Sequence, residues 1–130
     1  MKRLSFILML LSFWSCSEEF AGMEDQIAPH IQVLLPQIWE AQAGDTLHFQ
    51  ILISDNDQLH DYYLGLNNLS EMTKEMHWSA HSHAQAITLD TSYVLARELP
   101  YSHFQLQIEA SDHQGNVIRK RIGIFVKGKG

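Results

Sequence analysis

Three of the eight histidines fall between positions 77 and 83, in the stretch Glu71-Met72-Thr73-Lys74-Glu75-Met76-His77-Trp78-Ser79-Ala80-His81-Ser82-His83. Neutral imidazoles are good ligands for zinc, copper or nickel, and a set of three leaves an open position that water can take. In an extended segment His81 and His83 point to the same side, and His77 can return to them through the intervening turn. Glu71, Glu75, His60 or His103 are the side chains able to complete or orient such a set. Met72 and Met76 are soft ligands suited to reduced copper, although two methionines four apart fit packing equally well. The competing expectation is a solvated polar loop. The spacing is not the His-Glu-x-x-His of a zinc protease, so the type and density of the residues carry the metal reading.

The second chemical feature is Cys16, the one cysteine in the chain. It comes after Met1-Lys2-Arg3, an apolar run from Leu4 to Trp14 and the small residue Ser15. A positive head, a short apolar stretch and a small residue are the parts of an export signal. The run is too short to cross a bilayer, which takes about 20 apolar residues. The stretch resembles the signal of bacterial lipoproteins, in which the cysteine after a small residue is lipidated. Phe13 and Trp14 are bulkier than the commonest pattern. Ser17-Glu18-Glu19 resembles the serine and acidic residues found after the cysteine in Bacteroidetes-type signals. The resemblance implies cleavage of residues 1–15 and acylation of Cys16, with anchoring to membrane lipid. Several acyl chains, at about 0.8 kcal/mol per buried CH2, hold a protein to a membrane without a spanning segment. The implied location is the cell envelope, at the outer membrane, on its periplasmic face or on the cell surface.

Composition narrows the function classes. The formal charge is −6, and losing Lys2 and Arg3 takes it to about −8, a poor balance for nucleic acid or an anionic surface. The cluster Arg119-Lys120-Arg121 divides between the two faces of a strand and reads as a solvated surface. With Cys16 lipidated no thiol remains as a nucleophile. The sequence has no Gly-rich phosphate loop and no serine in a nucleophile elbow, and Asp112 beside His113 makes no acid–base pair. We therefore expect a protein that is not an enzyme.

Whatever the histidines do, strands must position them. Residues 16–28 comprise the lipidated cysteine and an acidic tether. From residue 29 to 127 short runs alternate with turn residues every eight to twelve positions or so, the pattern of a β-sandwich. Ile31, Val33 and Leu35 share a face before Pro36. Leu47, Phe49, Ile51 and Ile53 alternate with His48, Gln50, Leu52 and Ser54 after the turn Ala43-Gly44-Asp45. Tyr62, Leu64 and Leu66 make a third strand. Residues 69–85 are the least regular, with a helical turn conceivable at Glu71 to Glu75. Ala86 to Leu89 and Ser92 to Glu98 read as two short pieces. Phe104, Leu106, Ile108 and Ala110 lead into the turn Ser111 to Asn116, and Ile118, Ile122, Ile124 and Val126 close the chain in phase, interrupted by Lys120. Residues 128–130 are a tail. This predicts an all-β, immunoglobulin-like Greek-key sandwich of about seven strands, of about 115 residues after cleavage, long enough for one core without disulfides.

On Pro29 to Pro36, Ala43-Gly44-Asp45 to Asp55, Leu59 to Leu64, and Glu109 to Asp112 with Gly115-Asn116, the domain resembles the cadherin-like and immunoglobulin-like domains of exported bacterial lipoproteins. Within them it resembles a small Bacteroidetes-type group with a His-x-His element, here His81-Ser82-His83. Cadherin repeats bind calcium between successive domains. Asp55, Asp57, Asp61 and Asp112 resemble those ligands, but a second repeat and the acidic linker are missing, so no calcium site of that kind is expected.

These readings imply three functions. The first is an anchored module that binds an unidentified protein or small ligand through its loops or a free edge strand, with Trp78 as a contact unless it plugs the core. The second is a zinc- or copper-binding lipoprotein using His77, His81 and His83. The third is a structural accessory subunit of an envelope assembly.

Overall fold

The computed structural model describes residues 24–129; Cys16, the signal segment and the first part of the tether lie outside them. Eight strands form two sheets: β1 (His30–Leu35), β2 (Glu40–Gln42), β3 (Thr46–Ser54), β4 (Leu59–Asn68), β5 (Thr73–His81), β6 (Ala86–Val94), β7 (Ser102–Asp112) and β8 (Val117–Lys127). One sheet has the order β1-β3-β6 and the other β2-β8-β7-β4-β5. All pairings are antiparallel except β2 with β8. This is the immunoglobulin-like sandwich. The eighth strand arises because the chain leaves β1 at Pro36 and crosses to the second sheet as the three-residue β2.

Strict alternation builds the core. Leu47, Phe49, Ile51 and Ile53 of β3 face Phe104, Leu106, Ile108 and Ala110 of β7, Leu64 and Leu66 of β4, and Ile124 and Val126 of β8, all buried. Fully burying each large apolar side chain is worth about 1.5–3 kcal/mol, so these residues set which face of each strand turns inward. Lys120 falls in the inward phase of β8, and its ammonium reaches the carbonyl of Ile31 at 3.5 Å. The cation thus lies across the sandwich margin instead of breaking the strand.

Two expectations fail at the sheet edges. Residues 73–81 are one strand, with a register irregularity opposite Leu66 and Asn67, not a loop with a helical turn, and 86–94 are one strand, not two pieces. Both strands are edges, so only part of their inward faces is covered; β5 alternates weakly, whereas β6 alternates throughout but with a single fully buried residue, Leu89. Tyr93 and Glu75 join these two edges, the phenol donating to Glu75 Oε2 at 2.9 Å. Burial, with help from that carboxylate, pushes the Tyr93 hydroxyl up to about 12.

Candidate metal centre

Strand pairing gathers four imidazoles and one carboxylate at one end of the five-stranded sheet. Asp61, near the start of β4, lies directly opposite His81, the last residue of β5. On the other side of β4, Leu59 pairs with Asp112, and an irregularity separates that pair from Tyr62. This brings His60 beside His113 in the β7–β8 turn, with ring centroids 4.8 Å apart. Beyond β5 the chain stays close to β4, with Ser82 N–H donating to the His60 carbonyl at 2.8 Å and Leu59 N–H to that of Ala84 at 3.0 Å. The Ser82 hydroxyl accepts from Ala84 N–H at 3.1 Å. That turn fixes the backbone at His83.

The side chains form a continuous series of contacts. Asp61 Oδ2 lies 3.1 Å from His60 Nδ1, and its Oδ1 lies 3.0 Å from His81 Nδ1. His81 Nε2 faces His83 Nε2 at 3.1 Å, and His83 Nδ1 faces His113 Nε2 at 2.9 Å. An ionised carboxylate only accepts, so His81 donates from Nδ1, and in the neutral ring Nε2 is a lone pair. The hydrogen bond from His81 holds Asp61 below its ordinary carboxylate value, helped by the neighbouring His60, His81 and His113. Asp61 and the two rings it contacts are substantially exposed, so the arrangement adds little stability by itself. Solvent ions can reach it.

Of the residues singled out from sequence, His81 and His83 come together and His77 does not. His77 sits on β5 opposite Gly65, four residues from His81, or about 13 Å along a strand. The turn expected to return it is absent because β5 is extended. His60, expected only as a supporting side chain, is a full member, and Asp61 and His113 join it. His103 stacks on Phe125 instead, with ring centroids 4.7 Å apart. Glu75 is engaged by Tyr93 and Thr73. Met72 is exposed in the β4–β5 turn, and Met76 packs against the core. Trp78 lies edge-on to Tyr62 and remains 46% exposed. It borders the core at the free edge and does not plug it.

A second acidic group lies at the same end. Asp25, Asp55 and Asp112 each offer a carboxylate oxygen within 4.8 Å of the others; Asp57 and Asp61 are not part of this group. Asp112 is buried, and its carboxylate accepts from the backbone of Gln114 and Asn116 and from the Asn116 amide, at 2.6–2.9 Å. Burial alone would raise its pKa; the bonds from Asn116, Gln114 and Gly115 outweigh this and hold it low. Gly115 takes φ +86° in this turn, where a side chain would be strained. The turn so fixed presents residue 113 next to β4.

No known family model matches the chain, and no curated protein matches it by sequence. Among solved structures it is similar to Spo0M, a sporulation control protein from Bacillus subtilis, with a TM-score of 0.50 and 10% identity over 78% of this chain. It also aligns with the periplasmic chaperone SfaE at a TM-score of 0.42 and 17% identity, again over 78% of this chain. The aligned region spans 50% and 57% of those two chains. At such identities the first likeness concerns the fold alone.

Proposed function

We propose that this protein is a lipid-anchored, extracytoplasmic metal-binding module that takes zinc or copper on the cluster of His60, Asp61, His81, His83 and His113. The observation that carries the reading is the series of side-chain contacts at 2.9–3.1 Å linking all five residues. With metal–nitrogen bonds of about 2.0–2.1 Å, two nitrogens at adjacent positions on one ion stand about 2.9–3.4 Å apart. The imidazole pairs already have that spacing. Imidazole with one carboxylate suits borderline metals, whereas calcium and magnesium prefer oxygen-rich sites. The exposed rings leave room for water or a second donor, as capture and release require.

The anchor fits the site's position. Asp25, within the tether, accepts through its backbone carbonyl from the Asn116 amide at 2.8 Å, so the chain from Cys16 arrives at the turn that carries His113. The nine steps from Cys16 to Asp25 reach at most about 32 Å. A lipid on Cys16 therefore keeps the cluster near the membrane.

Calorimetric titration with zinc and with copper tests the reading. Binding should be tight, and the His81→Ala/His83→Ala protein should lose it. Equal heats from the two proteins would sink the metal function and return attention to partner binding at the free β5 edge and Trp78.

A further inference from the structure

We propose, resting on the metal-binding reading above, that the cluster holds two metal ions and that the His81 ring bridges them. The two nitrogens of an imidazole point away from each other, so one ion cannot take both. His81 has a potential ligand neighbour at each: Asp61 at Nδ1, 3.0 Å away, and His83 Nε2 at Nε2, 3.1 Å away.

These contacts define two positions. The first lies among His60, Asp61 and His81, whose ligand atoms are all within 4.8 Å of one another. Asp61 contacts Nδ1 of both rings there. The second lies between His81 Nε2 and His83 Nε2, at the separation two nitrogens adopt on one ion. His83 is oriented for this by His113, 2.9 Å from its other nitrogen, as ligating histidines usually are by a partner at the far nitrogen. A single ion at either position leaves the donors of the other without a metal, and the two positions share only His81.

The proton count is simple. Neutral His81 carries one ring proton, at Nδ1, and holding a metal at both nitrogens releases that proton to solvent. The resulting imidazolate and the Asp61 carboxylate each supply one negative charge to two divalent ions. Copper(II) suits such a site because it favours imidazole and tolerates water at the remaining positions. It also reports on the bridge, because two copper(II) ions sharing an imidazolate couple magnetically.

The full-length protein, purified in detergent, is titrated with copper(II) and followed by native mass spectrometry and electron paramagnetic resonance. Two ions should bind per chain. The first should give a full mononuclear signal, and the second should diminish that signal instead of doubling it. His83→Ala, at an exposed position, should bind one ion with full signal and keep the parent's circular dichroism spectrum. Saturation at one ion, or two ions with additive signals, would overturn the bridge and leave metal binding in place. No copper on the parent protein would overturn the metal-binding reading as well.

Discussion

Asp61 touches two imidazoles at once, and its consequence for binding is larger than its consequence for folding. It is well exposed, so the depression of its carboxyl by His81 and its neighbours contributes little stability. Without metal it lies against the Nδ1 side of His60 and His81 and settles that neutral His81 carries its proton there; with metal it is one of the donors at the first position. Asp61→Asn keeps the size and loses the charge. Replacing a group that orients a ligating histidine typically costs 10–100-fold in metal affinity. As Asp61 is itself a donor at the first position, we expect a loss of at least that size, read by competition against a chelator of known affinity, with unfolding free energy changed by no more than about 0.5 kcal/mol. Unchanged affinity would place the metal away from Asp61.

At the scale of elements, the β7–β8 turn is the part on which the cluster most depends, because Asp112 satisfies the turn's N–H groups from a buried position. Asp112→Ala leaves those donors without their acceptor and should destabilise the fold by about 1–3 kcal/mol in urea denaturation. The pH dependence has a definite sign. Because the folded-state pKa of Asp112 is depressed, its stabilising contribution is present above the ordinary carboxylate pKa and is lost as pH falls through the lowered value. Asp112→Asn should therefore be closer in stability to the parent in strong acid than at neutral pH. The central strands were legible in the sequence, since β7 alternates from Phe104 to Ala110, β3 departs only at the outward Leu52, and burial alternates along both. The edge strand β5 was not, because none of its inward residues is buried: Met76 and Ala80 are partly covered and Trp78 stands partly in solvent. The cluster was legible in part. His81-x-His83 is a local pattern, but Asp61 opposite His81 and His60 beside His113 result from register between distant segments. His77 is near the pair in sequence, which in an extended strand means separation in space.

The whole molecule is a sandwich whose two sheets meet mainly through apolar side chains, with the connection from β5 to β6 passing from one sheet to the other at the histidine end. His83 lies on that connection, His60, Asp61 and His81 on paired strands, and His113 on the turn after β7. An ion held by this set therefore fastens the crossover to the five-stranded sheet. A ligand that binds only the folded state stabilises it by RT ln(1 + [L]/Kd), about 2.7 kcal/mol at a free concentration of 100 Kd. Zinc at that concentration should raise the unfolding free energy by about that amount, less whatever affinity the histidines of the unfolded chain retain. His81→Ala/His83→Ala should lose most of the gain, whereas His77→Ala, on the same strand as His81 but outside the cluster, should keep it. Equal gains in the two variants would mean that zinc is held by scattered surface histidines and that the gathering of the five residues has no consequence for the fold. A gain lost with His81 and His83 and kept without His77 would tie binding to the cluster beside the junction between the sheets.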